Sequence, residues 1–264
     1  MVNKRVFLFL IALFSLCGVA QGQSTGNKTL LVVEYSELFV LQSGWSHPCD
    51  EIGQLLYVGE KCSRFHQITS RSHRLAPIGG EVINLTADQH DIFQGIPEGQ
   101  MTCKDAVSSN KFYYVEPLPA LDWNVLDSDT IVCGYECQKA RTTFRGRTWT
   151  VWFSVDLPYS FGPWKLGGLP GLILKAVDDK NQYFFEAIEI KKGDGKPIKV
   201  STSGLKKSSA EQVYKEIMLR AKDPTKYEME TEGFSSLPED FRKNYYAGAP
   251  YTAYPIEYFD EKEE

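Results

Sequence analysis

Read for hydrophobic and polar periodicity, the chain predicts many strands and one well-marked helix. Residues 29–40 are rich in Val, Leu, Tyr and Phe and read as an opening strand. Residues 54–58 and 62–69 flank Gly59 and read as a hairpin. Pro77, Gly79 and Gly80 then break the pattern, and 81–110 reads as loop with short strand or helix pieces. A short strand at 112–115 ends at Pro117 and Pro119. Strands at 123–126 and 130–144 come next, the second being the longest expected.

The clearest pattern surrounds Arg145-Gly146-Arg147. After this turn, Trp149, Val151 and Phe153 share one face, and Thr148, Thr150, Trp152 and Ser154 share the other. That is a hairpin with 138–144 and 148–155 as its arms. A second hairpin pairs 172–177 with 183–190 across Asp178-Asp179-Lys180-Asn181, where the paired carboxylates read as solvated turn charge. The helix begins at Ser208, with Glu211 completing a capping box. Its apolar stripe is Ala210, Val213, Tyr214, Ile217, Met218 and Ala221, and Asp223-Pro224 stops it. At least eight strands against one helix predict a mainly β (α+β) protein. Its architecture is a curved antiparallel sheet or half-barrel with one or two packing helices. No repeat and no linker divides it, so 23–264 reads as one domain after a leader at 1–22.

The leader has a basic start at Lys4 and Arg5, an apolar run at 6–19, and small residues Gly18, Ala20 and Gly22. This is the layout of a secretory signal peptide, with cleavage after Ala20 or Gly22. Leu16 before Cys17 argues against lipid attachment, and the run is shorter than the ~20 residues of a spanning helix. The chain is therefore expected to be exported and soluble, in the periplasm or at the outer envelope. The formal charge of −5, which becomes −7 without Lys4 and Arg5, excludes bulk attraction to nucleic acid. Export also places Cys49, Cys62, Cys103, Cys133 and Cys137 in an oxidising setting, where at least one disulfide is expected. Cys133 and Cys137, four apart on one strand, are too distant to bridge each other. The four histidines lack zinc-ligand spacing.

The segment 134–174 carries a family resemblance. Gly134-Tyr135-Glu136-Cys137-Gln138-Lys139-Ala140 resembles the "GYKCQKA" strand of the GLPGLI family. Phe144-Arg145-Gly146-Arg147 and Trp152-Phe153 resemble its next hairpin. Gly162-Pro163-Trp164-Lys165-Leu166-Gly167-Gly168-Leu169-Pro170-Gly171-Leu172-Ile173-Leu174 is similar to the signature that names it. Leu55-Leu56-Tyr57-Val58-Gly59 with Ser63-Arg64-Phe65 is similar to its early hairpin, and Tyr254-Pro255-Ile256-Glu257 to its ending. The resemblance implies an exported protein of Gram-negative bacteria and carries over no biochemical activity.

Leu169-Pro170-Gly171-Leu172 suits a type II turn, with Pro170 fixing φ and Gly171 accepting positive φ. Gly167 and Gly168 permit close backbone approach. The loop reads first as a demanding turn leading into a buried strand, with its aromatics in the core. The competing reading makes it, with an aromatic rim of Trp152, Phe161 and Trp164, the candidate binding site for an apolar ligand, a peptide, a lipid or an envelope partner. No nucleophile elbow and no His-Glu-x-x-His helix is present, and no cofactor is implied. The expected function is non-enzymatic binding in the cell envelope. The alternatives are a periplasmic enzyme using a cysteine thiol or bound metal, and an accessory protein of an outer-membrane transport system.

Overall fold

The computed structural model describes residues 27–39, 49–68, 90–222, 226, 227, 230, 231 and 255–259, without the side chains of 49–52. The expected leader at 1–22, the breaks at Pro77, Gly79 and Gly80, the Asp223-Pro224 helix stop and the end of the chain beyond 259 lie outside these residues.

Twelve strands form one sheet. The first six are β1 Leu31–Phe39, β2 Cys49–Val58, β3 Ser63–Gln67, β4 His90–Gln94, β5 Gln100–Val107 and β6 Asn110–Pro117. The rest are β7 Asn124–Val132, β8 Tyr135–Phe144, β9 Arg147–Ser154, β10 Leu172–Asp178, β11 Tyr183–Lys192 and β12 Lys206–Lys207. Helix α1, Ala210–Lys222, comes after them. The spatial order is β12-β6-β5-β4-β3-β2-β1-β11-β10-β9-β8-β7. Two antiparallel meanders, β1 to β6 and β7 to β11, thus join where β1 pairs with β11. Only the short β12 contact along β6 is parallel.

Topology obliges this sheet to curl. β6 and β7 are consecutive in the chain but ten inter-strand gaps apart in the sheet, roughly 48 Å if the sheet were flat. The six residues 118–123 that connect them reach at most about 25 Å. Curling turns the inner faces of both meanders onto one core. Phe65 of β3 meets Phe185 of β11 at 6.0 Å between ring centroids, although β2 and β1 lie between those strands.

The hairpin faces follow the alternation: Trp149, Val151 and Phe153 are buried and belong to the core. Elsewhere the structure corrects the pattern. The single strand expected at 130–144 is two strands, turned by Cys133 and Gly134 at φ 50° and 83°. The region 81–110 holds β4, all of β5 and the first residue of β6, whose polar residues hid their periodicity. The helix cap is Ser209, one residue later than expected: the Gln212 amide donates to its Oγ at 3.2 Å. On α1, Ala210 and Val213 are buried while Met218 faces out, so the apolar stripe is narrower than expected. Strand β7 closes one edge, mostly exposed, with a register break between Leu126 and Asp129 and the charges Asp127 and Asp129 interrupting its pairing surface. Among the described residues no helix is long and apolar enough to cross a membrane.

Candidate functional site

The second part of the loop from β9 to β10, residues 161–171, lies inside the curl, while Val155, Asp156, Pro158 and Ser160 face solvent. Of residues 161–171, only Gly168 and Pro170 are exposed. Trp164 is 1% exposed and packs on Trp149 at 5.5 Å and Phe144 at 5.6 Å. Side chains from β4 and from the β6–β7 connection hold the loop's carbonyls. Gln94 donates to the carbonyls of Trp164 and Leu166, each at 3.2 Å, and Trp123 Nε1 to that of Gly167 at 2.9 Å. Phe161 bridges Gly167, and the Gly168 amide donates to the Ser160 carbonyl at 3.0 Å. Leu169 is buried in the same core.

The positive φ expected at Gly171 occurs instead at Gly168, at 86°. Gly171 is needed for closeness: a Cβ there would stand 2.1 Å from the Ser154 carbonyl oxygen. Trp152 is on the opposite face of β9, half-buried, with Lys139 and Lys175 over its ring at 5.5 and 5.4 Å. The structure therefore gathers Phe161, Trp164 and Leu169 in the core and leaves Trp152 apart from them.

Two cations are buried beside this loop. Lys165, 1% exposed, donates to Tyr114 Oη at 3.1 Å, to Glu116 Oε1 at 3.0 Å and to both Glu257 oxygens at 3.0 Å. Burial alone would lower its pKa. The acidic groups around it, Cys103, Glu257, Glu116 and Asp105, more than reverse this and hold it above the usual lysine range. Arg147, fully buried, bonds Asp178 and the Pro255 carbonyl and lies over the rings of Tyr183 and Tyr258. Asp178 is correspondingly buried and accepts from the amides of Gln182 and Tyr183, each at 2.7 Å, so it is not the solvated turn charge expected. The guanidinium and those amides replace water. Arg145 adds an ion pair to Glu116 at 2.7 Å, and its carbonyl accepts from the Tyr258 amide at 2.9 Å. Segment 255–259 is thereby tied across the curl.

Beneath α1 and this segment lies a cleft of about 40 Å³. Its polar floor comes from four strands. Glu37 continues the inward row Val33, Tyr35 of β1, and Gln54 projects from β2. Gln54 Nε2 donates to Glu37 Oε2 at 2.5 Å, while Gln54 Oε1, buried, has no hydrogen-bond partner among the described residues. His90 of β4 and Asp105 of β5, directly opposite in register, meet through Nδ1 and Oδ1 at 2.5 Å. Burial pushes the Glu37 pKa from 4.5 to about 7, against the smaller lowering effects of Gln54 and His90. Burial raises Asp105 too, but His90, Lys165 and Tyr114 outweigh it and hold that carboxyl low. Phe39, Val213, Ile217, Pro255 and Ile256 supply apolar wall, and Tyr183, Tyr214 and Glu257 complete the lining. The sequence marked Val213, Tyr214 and Ile217 only as a helix stripe and Glu257 only within a family ending. It did not single out Glu37, Gln54 or Asp105, although a Glu on the inward face of the first strand was the available sign.

The expected disulfide does not join any of Cys62, Cys103, Cys133 and Cys137, which carry thiols; the Cys49 side chain lies outside the described residues. Cys62 packs with Phe93 and Ile198, Cys103 and Cys137 lie in the main core, and Cys133 is in the β7–β8 turn. Each occupies its own apolar place, which needs no second thiol. Burial pushes Cys62 and Cys137 up to about 11 and Cys103 higher still. Among the described residues no group of three His, Cys, Asp or Glu is arranged to hold a metal ion.

Residues 120–216 match the family described as N-glycanase peptide, N-terminal domain. Among solved structures, the chain is similar to PNGF-II in its P21 space group, at 14% identity and TM-score 0.50, and in its C2 space group, at 16% and 0.48. Each likeness covers 72% of this chain and 33% of PNGF-II, so the chain spans about a third of that protein's length. No curated protein matches it. At this identity the likeness concerns the β-rich fold alone.

Proposed function

We propose that the chain is an exported protein of the bacterial cell envelope, of the GLPGLI type, that works by binding a ligand in the cleft beneath α1. One observation carries the binding: Gln54 presents a buried carbonyl oxygen with no partner among the described residues, on the floor of a cleft, beside a carboxyl that burial holds near neutrality. A buried acceptor left unmatched is costly, and among the unmatched buried atoms Gln54 Oε1 belongs to a residue that lines the cleft, where a ligand can supply the donor. The leader at 1–22 and the family resemblance support export. The N-glycanase description of the matched segment supports a glycan-bearing setting. A thiol nucleophile finds little support, since burial moves the described thiols away from the reactive form.

The test is a thermal-melt screen of sugars, amines and peptides against the exported chain and an Ile217→Trp variant that fills the cleft. Ligands of the cleft raise the melting temperature of the first and not of the second. Hits that raise both equally would remove the cleft as the site. The His90–Asp105 pair beside Glu37 also has the parts of an acid–base catalyst, which is the second reading. Turnover of a bound ligand, lost in Glu37→Gln with binding retained, would favour it.

A further inference from the structure

We infer that the cleft takes a primary ammonium group on a small ligand, held by Glu37 and Gln54, with the ligand's carbon stem against Phe39 and Ile217. The inference rests on the cleft being a ligand site, as proposed above. The hydrogen-bonding inventory of the floor points to a donor. Gln54 spends its amide nitrogen on Glu37, so it offers the ligand a carbonyl oxygen. Glu37 offers carboxylate oxygens. A hydroxyl would meet the carbonyl but leave the carboxylate charge unmatched, whereas an ammonium brings three donors and the opposite charge.

The other carboxylates of the cleft are already neutralised. Glu257 is engaged by Lys165 and Arg145. Asp105 is engaged by His90 and by the Tyr114 hydroxyl. Glu37 differs: its carboxylate is bonded by a neutral amide, and its positive influence is His90 at longer range. The size agrees as well. About 40 Å³ holds a head group of a few heavy atoms and not a sugar ring, so the body of the ligand stays at the mouth. A divalent cation would satisfy the same oxygens by charge alone, so calcium serves as the contrasting probe.

Binding of a cation here requires the ionised carboxylate, so near pH 6 it should expel a proton from Glu37. The groups facing Glu37 are Gln54 from β2, His90 with Asp105 from β4 and β5, Tyr183 from β11, Tyr214 from α1 and Glu257 from the closing segment. Calorimetry on the full exported chain at pH 6, in two buffers of different ionisation enthalpy, tests this with glucosamine, ethanolamine, N-acetylglucosamine, glucose and calcium chloride. Glucosamine or ethanolamine should bind, release up to one proton per site, and bind at least tenfold more weakly to Glu37→Gln. The stronger of the two tells an amino sugar from a simple amine as the source. Equal binding of glucose or N-acetylglucosamine, or unchanged binding of the amines to Glu37→Gln, would overturn the ammonium and keep the ligand site. Preference for calcium would do the same. No binding by any probe, together with no hit in the melt screen, would overturn both.

Discussion

Lys165 and Arg147 are buried as deeply as Glu37, yet the two sides of the inner face treat their charges differently. Around the β9–β10 loop, Lys165 meets a tyrosine hydroxyl and two carboxylates, and Arg147 meets Asp178 and a backbone carbonyl. Under α1, the Glu37 carboxyl is held by Gln54, whose own carbonyl is unmatched among the described residues. The first region has the marks of architecture, because each of these buried cations is answered from within the chain. The second has the marks of a site, because its acceptors exceed the donors around them. Glu257 belongs to both: it neutralises Lys165 and lines the cleft.

The comparison breaks most visibly if the paired side proves soft. Arg147→Met should destabilise the fold by about 3–5 kcal/mol, since it strands Asp178 in the core. Urea denaturation would register this as a lowered midpoint with unchanged slope. A loss under about 1 kcal/mol would mean that the pair is dispensable. Trp164→Ala should cost a similar ~3–5 kcal/mol as a truncated core aromatic. Trp152→Ala, on the half-buried outer face, should cost less than about 1.5 kcal/mol. Equal losses for the two tryptophans would contradict the burial of the loop.

The unpaired side should respond with the opposite sign. Glu37 titrates at about 7 when folded, against 4.5 ordinarily, so the folded state holds a proton that the unfolded chain releases. Stability from this group is therefore full below about pH 4.5, falls as pH rises toward 7, and stays low above that. Glu37→Gln removes the slope. It should match the parent at pH 4 and exceed it by about 3 kcal/mol at pH 8. A series of denaturant melts across that range checks it, and a variant less stable than the parent at pH 8 would show a carboxylate that the fold requires.

The β-rich class and the 144–154 hairpin were legible in the sequence because alternation is a local property, and Trp149, Val151 and Phe153 are buried as it predicts. The loop glycines were legible as special positions but not for the right reason at Gly171, where the constraint is a carbonyl from another strand. The β7–β8 turn was hidden because Cys133 and Gly134 sit between strong strand formers. The cleft was hidden for a different reason. Its floor is assembled from β1, β2, β4 and β5, and no spacing along the chain announces that four such residues will meet. Lys165 and Arg147 looked like loop and turn cations because the partners that permit their burial include residues 92 and 108 positions away.

Those long separations have a consequence for how the molecule comes into being. Arg145, Arg147 and Lys165 take acceptors or packing partners from 255–259, and these are synthesised well after the hairpin and loop that carry the cations. Until that stretch arrives, closing the curl would bury Lys165 with Glu116 but without Glu257, and Arg147 with Asp178 but without the Pro255 carbonyl. The two buried cations thus have their full set of hydrogen bonds only with 255–259 in place. A chain cut short before Pro255 would be penalised far from the cut, in the middle of its own core.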